Sequence, residues 1–353
     1  MNKSILLTLP AALLLASCGG TSSPASGLSS QQTSASGLSV PSSESSSSSS
    51  SYDIDKDIAW VSPKGIPTIA FYDKGANENW QTFGDATQVA PYFAGNNVDF
   101  IVFDATNGLT NIAKNNRNYK FARWISGGTF YLVSAKHASL TDYQKGQSID
   151  AFVENGNASH AFRHLAKNKW NWGELTTDDV TYENGVAAVK TKIEANPNAY
   201  DYYVVAQPVL MALKKTVNFT LEVNLQTEWA NLYENEVIPA AGLFVNNSSY
   251  ANKKEACDDF IDLAVKRIGR VMIKESLAVN AMNDYGDAAK CQERFGYAPG
   301  VVSALMADDK NGFGLVDPNN QDTKAKRVKI ANDFAKRIGL AEYDASLFLD
   351  NAA

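Results

Sequence analysis

From about Ile58 onward, short apolar runs alternate with amphipathic stretches, and each apolar run empties into Asp, Asn, Ser, Thr or Gly. That alternation predicts strands and helices layered in an α/β fold. Residues 66–72 read as a strand leaving into Asp73, and 98–103 as a second strand ending at Asp104-Ala105-Thr106-Asn107. Residues 119–125 form a third, leading into Ser126-Gly127-Gly128, and 129–134 stay extended as a strand running back. After a polar turn at 139–147, residues 148–153 read as a strand ending at Glu154-Asn155-Gly156-Asn157-Ala158-Ser159. Asn157 or Ser159 can cap the helix that follows, through Lys167.

Further on, 180–182 is a brief strand and 186–195 a helix stopped by Asn196-Pro197, since proline cannot continue the helical bonding. Residues 199–206 read as a strand ending at Gln207-Pro208, where the chain turns into a helix near Val209. Residues 219–225 and 238–245 read as extended. Phe260, Leu263, Ala264, Ile268, Val271 and Met272 then fall on one helical face. Helices at 288–295 and 324–338 close the pattern.

The first residues follow another rule. Lys3 precedes an apolar run from Ile5 to Leu15, and Leu15-Ala16-Ser17-Cys18 follows. A cation, a short greasy stretch and small residues describe a secretory signal, too short for a bilayer core of roughly 20 apolar residues. Leu-Ala-Ser-Cys resembles the lipobox of bacterial lipoproteins, which implies cleavage after residue 17 and lipidation of Cys18. The expected organisation is a signal peptide over 1–18 and a Ser-rich tether over 19–57, with too few aromatic and branched residues to offset the entropy of ordering. At about 5–6 Å × √n, some 30 residues of tether reach about 30 Å.

A formal charge of −6 and a pI near 5.2 argue against nucleic acid as a partner. Export would permit a disulfide between Cys257 and Cys291, but both fall at helical positions, which favours two small buried thiols. No nucleophile elbow, phosphate-binding loop, His-Glu-x-x-His or Cys-x-x-Cys is present. Adjacent acids such as Asp178-Asp179 and Asp258-Asp259 suit solvated caps better than catalysis, so the chain is read as no enzyme, without a cofactor. His160 and His164 lie one helical turn apart, a spacing that holds zinc only when further ligands converge; an exposed polar face is the simpler account, and no metal is expected.

The order of these elements resembles a known group. Asp99-Phe100-Ile101-Val102-Phe103-Asp104-Ala105-Thr106, Leu140-Thr141-Asp142-Tyr143-Gln144-Lys145-Gly146, Asp201-Tyr202-Tyr203-Val204-Val205-Ala206-Gln207-Pro208 and Pro239-Ala240-Ala241-Gly242-Leu243-Phe244-Val245-Asn246 carry the resemblance. Together with the lipobox and tether they are similar to the type 2 periplasmic solute-binding proteins of ABC importers, in the nitrate, sulfonate, taurine and thiamine-precursor branch. Gln207 departs from the family, which usually carries Glu before that proline. The resemblance implies a two-lobed α/β fold with two hinge crossings, near 136–146 and near Pro239, around a central ligand cleft. Lobe one would be 58–145 plus 240–340, lobe two 146–239, and 341–353 a C-terminal tail. It implies a small solute and a membrane ABC permease as partners, with the chain lipid-anchored to the cell membrane on the extracytoplasmic side. The alternative is a surface lipoprotein that reuses the fold as an adhesin or sensor.

In open α/β sheets, ligands meet the loops at the carboxyl ends of strands. Those loops nominate Tyr72 and Asp73; Asp104, Thr106 and Asn107; Ser126, Gly127 and Gly128; Asn155, Asn157, Ser159 and His160; and Gln207. The same residue types also serve ordinary turns and caps. The loops hold amides, hydroxyls and two acids but no Arg, the usual fork for a multiply charged anion. They fit a neutral or weakly charged heterocycle stacked on Tyr72 or Trp80, or a small organic acid; Trp80 can equally be core.

Overall fold

Two five-stranded sheets carry the molecule, each built in the same strand order. The computed structural model describes residues 52–350 apart from 235, 309–313 and 315–319, so Cys18, the signal segment and residues 19–51 of the expected tether lie outside the described residues. In chain order the elements are α1 (Ile54–Asp57), β1 (Trp60–Pro63), β2 (Trp80–Phe83), α2 (Tyr92–Gly95), β3 (Phe100–Asp104), α3 (Ala105–Asn115) and β4 (Tyr119–Gly127). Then come β5 (Phe130–Ser134), β6 (Ile149–Phe152), α4 (Asn157–Asn168), β7 (Val180–Glu183), α5 (Val186–Ala195), β8 (Tyr202–Ala206), α6 (Val209–Leu213), β9 (Leu221–Asn224) and α7 (Leu225–Leu232). The chain returns as β10 (Pro239–Asn246) and ends in α8 (Asn247–Asn252), α9 (Lys254–Ile273), α10 (Ser276–Tyr285), α11 (Ala288–Phe295), α12 (Pro299–Asp308) and α13 (Lys324–Arg337).

Sheet one runs β2-β1-β3-β10-β4 and sheet two β7-β6-β8-β5-β9. In each, one antiparallel strand is inserted beside the third: β10 between β3 and β4, and β5 between β8 and β9. Every residue of β10 is buried, as expected of a strand covered on both faces, and its apolar run is correspondingly unbroken. Helices cover both faces of both sheets. Phe71, Trp60, Trp80 and Phe260 build one side of sheet one, and Phe93, Leu109, Ile112 and Phe244 the other. Phe162, Leu165, Trp172 and Trp229 pack on one face of sheet two, and Val189, Ile193, Leu210 and Leu213 on the other.

The structure corrects several expectations. Residues 66–72 are not a strand: Ile66–Phe71 is a 3-10 helix entered through Gly65 at φ 113°, and the first strand is Trp60–Pro63. Five of its six residues are buried, so the apolar run carries no periodicity to separate helix from strand. The running-back strand belongs to sheet two as β5, which moves the first crossing from 136–146 to Gly128-Thr129 and sheet two's start well ahead of 146. Of the expected C-terminal tail at 341–353, the described residues 341–350 pack back on the fold: Phe348 is wholly buried and bridges Phe121, and the Leu349 carbonyl accepts from Arg327. At the other end, α1 and the packing of Tyr52 and Ile54 on the core shorten the expected 19–57 tether. On α9, Met272 is exposed and Leu263 only half-buried, while Phe260, Ala264, Ile268 and Val271 form the buried stripe. Cys257 and Cys291 are buried free thiols.

Candidate functional site: the junction between the sheets

β3 ends at Asp104, which is also the N-cap of α3: its Oδ1 accepts from Asn107 N at 2.9 Å. An Asp there satisfies one of the N–H groups a helix start leaves open. Its other oxygen does the same for a different helix. Oδ2 accepts from the backbone N of Asn157, first residue of α4 on sheet two, at 3.0 Å. Two helix N-termini from the two halves of the molecule thus converge on one carboxylate. The Asn157 side chain adds a second link, Nδ2 donating to the Ala240 carbonyl at 3.1 Å. Ala241 pairs with Asp104 on one side and Ser126 on the other, so the ends of β3, β10 and β4 lie abreast at this point. Burial pushes the Asp104 carboxyl up to about 6, against the N–H groups of Asn107, Asn157 and Thr106 that pull it down.

The two crossings run side by side. Gly128 N donates to the Ile238 carbonyl at 2.8 Å. Gln226, on α7, pins the return crossing: its Oε1 accepts from Ile238 N at 2.8 Å and its Nε2 donates to the Glu236 carbonyl at 3.0 Å. Gly128 has φ +64°, and a Cβ there would sit 2.8 Å from Gln226 Cγ. Gln207, at the end of β8, donates through its backbone N to the Thr129 carbonyl, and its Oε1 caps α6 by accepting from Met211 N.

Of the nominated residues, the structure brings together Asp104, Thr106, Asn107, Ser126 and Asn157 around the junction, with Gly127, Gly128 and Gln207 at the crossings. Tyr72, Asp73 and Trp80 are elsewhere. Tyr72 is core, Asp73 pairs with Arg267 at 2.8 Å, and Trp80 stacks on Trp60 while its Nε1 donates to Ser62. Tyr72 and Asp73 follow a segment that reads as a strand and is helical, and Trp80 takes the core position open to it. Asn155 is exposed, and Ser159 is buried with its Oγ donating to the Phe152 carbonyl. Neither Asn157 nor Ser159 caps α4; Gly156 does so without a side chain.

His160 faces another hollow, of about 560 Å³, which it lines with Arg163, His164, Lys167 and Arg337. Burial and Arg163 push its imidazole down to about 4. His164 bonds the Tyr233 hydroxyl at 2.6 Å, and among the described residues no three His, Cys, Asp or Glu side chains gather as a metal site. No local pattern points to Tyr343, whose hydroxyl lies 3.2 Å from Thr110 Oγ1 and 3.4 Å from the Thr106 carbonyl, closing over the first turns of α3. Only a tertiary contact across 237 residues puts it there.

No protein-family model and no curated protein matches the chain. Solved structures do. An ABC transporter structure from Parabacteroides distasonis superposes with TM-score 0.58 at 14% identity, covering 84% of this chain and 100% of that one. The alkanesulfonate-binding protein SsuA from Xanthomonas axonopodis pv. citri, bound to MOPS, gives 0.55 at 13%, covering 82% and 97%. The fold is that of the periplasmic binding proteins. A ligand-binding component of an ABC-type import system from Staphylococcus aureus, with zinc bound, gives 0.58 at 11%, covering 83% and 96%. Within this fold, the Asp104–Asn157 contact sits where the two halves meet.

Proposed function

We propose that the chain is the extracytoplasmic solute-binding component of an ABC importer, held to the cell membrane by acylated Cys18 and handing a small solute to a membrane permease. Residues 52–127 with 239–308 and 320–350 act as one lobe and 130–234 as the other, hinged at Gly128-Thr129 and 236–238. The observation that carries this is the meeting of α3 and α4 at Asp104: two like-ordered sheets, joined by paired crossings, present helix starts and strand ends to each other. Such junctions are where ligands settle in α/β proteins and where lobes shut over them. The work is capture and release, with no chemical step.

Sulfonates join amino acids, pyrimidines, purines and vitamins in the set to be screened, because one structural neighbour binds an alkanesulfonate. The test is to denature undialysed, purified protein, identify released small molecules by mass spectrometry, and melt the protein with each class. A true ligand at a hundredfold excess over its Kd stabilises by about 2.7 kcal/mol. No released solute and flat melting curves across every class would overturn the proposal.

A further inference from the structure

Free N–H groups at helix starts ordinarily form a ready site for an anion. At this junction the protein supplies the anion itself. Asp104 caps α3 through Asn107 N and reaches α4 through Asn157 N, so both helix starts are already answered by one carboxylate. The unfilled capacity has the opposite sense. Asn157 is wholly buried, and only its Nδ2 can donate to the Ala240 carbonyl, which fixes Oδ1 as the other end of the amide. That Oδ1 has no partner among the described residues. An amide oxygen carries two lone pairs and an ionised carboxylate about four, of which Asp104 commits two to the backbone N–H groups of Asn107 and Asn157. Asp104 keeps part of its surface accessible, while Asn157 Oδ1 lies sealed beside it and becomes available to a solute only as the two halves part.

We propose that the junction recognises a solute presenting N–H donors, cationic or neutral (an amine, an amidine or an amino-substituted ring), through Asp104 and Asn157 Oδ1, and that Asp104 bars anions. This deepens the solute-binding function proposed above and rests on it. Asp104 is a specificity residue: its charge selects donors, and its occupation of the two helix starts excludes a sulfonate or sulfate.

Calorimetry and melting of the full chain would use sulfate and ethanesulfonate as anion probes, and benzamidine, agmatine and 4-aminopyrimidine as donor probes. The wild type is expected to ignore both anions beyond an ionic-strength control and to bind at least one donor probe. Asp104→Ser, which keeps a capping hydroxyl for α3, should weaken that donor by about tenfold or more, the scale of a charge-assisted bond, and should acquire saturable sulfate binding. Should that variant fail to give a native circular dichroism spectrum, Asp104→Asn carries the same donor comparison. Saturable anion binding by the wild type, a wild type that binds no donor probe, or a folded Asp104→Ser without gained sulfate binding overturns the inference. A co-purified solute lacking N–H groups would overturn it and leave the importer standing. Finding no solute at all would sink the importer, while sulfate gained by Asp104→Ser would still report the occupied helix starts.

Discussion

Gly128→Ala tests the coupling of the two crossings. An L-residue at φ +64° costs roughly 1–2 kcal/mol in that region. The added methyl would also sit 2.8 Å from Gln226 Cγ and 3.0 Å from its Cβ, near the root of a side chain that cannot swing away freely. Moving Gln226 breaks its bonds with Ile238 N and the Glu236 carbonyl, each contributing about 0.5–1.5 kcal/mol net. Gly128→Ala should therefore destabilise by about 2–5 kcal/mol. Gln226→Ala alone should cost about 1–3 kcal/mol. With Gln226 already gone, the glycine substitution should cost only its backbone share, about 1–2 kcal/mol. Urea denaturation of the wild type, both single variants and the double variant closes the cycle. A glycine penalty that is the same with and without Gln226 refutes the coupling, and a penalty near zero refutes the left-handed turn as well.

Lys192→Met should destabilise by about 3–5 kcal/mol in chemical denaturation, because it strands the wholly buried Asp150, whose Oδ1 lies 3.0 Å from the ammonium; a loss below about 1 kcal/mol would contradict a buried pair. Asp201 is buried in part, which opposes ionisation, yet Ser148 N and Oγ, His137 and Lys136 together hold its carboxyl well below the usual range. A depressed folded pKa gives stability that is present above the unfolded value of about 3.9 and lost as pH falls below it. Asp201→Asn should therefore be clearly less stable than wild type at pH 7 and converge with it towards pH 2; a gap that stays constant with pH in thermal melts would exclude the ionic account. Gly108 lies where α3 presses on β10, and an added Cβ would run into the Phe244 ring. Gly108→Ala should cost about 1–3 kcal/mol by overpacking, with partial rescue by Phe244→Leu in the same melting assay.

How much of this was legible in the chain depended on whether a local pattern had one meaning. β3, β8 and β10 are apolar runs ending in polar residues or proline, and each is a strand. Asp104 could be placed at the end of β3 because the apolar run stops there, but the helix it caps carries no such local mark and was not read. Residues 66–71 defeated the same logic: a 3-10 helix buried all round looks, in hydropathy, like a central strand. That error displaced Tyr72 and Asp73 into the site, while Trp80 belongs to an aromatic stack with Trp60 and Phe71. The first crossing was hidden because only Gly128-Thr129 separates β4 from β5, and a two-residue step reads as a turn within one sheet, while the longer polar turn at 139–147 looked like the passage between halves. Tyr343 and Phe348 were invisible for another reason: their partners, Thr106 and Phe121, are more than two hundred residues away, and no local pattern encodes such contacts.

The insertion of β10 between β3 and β4 also dictates an order of assembly. All five strands of sheet two come from one unbroken stretch, β5 through β9, so that half has every strand it needs before the return strand is synthesised. Sheet one does not: β4 touches its sheet only through β10, and an emerging chain must hold that slot vacant for more than a hundred residues. The nested half is therefore placed to set first and to deliver the strand that zips its host together, which makes 239–246 the keystone of the first sheet as well as a wall of the junction.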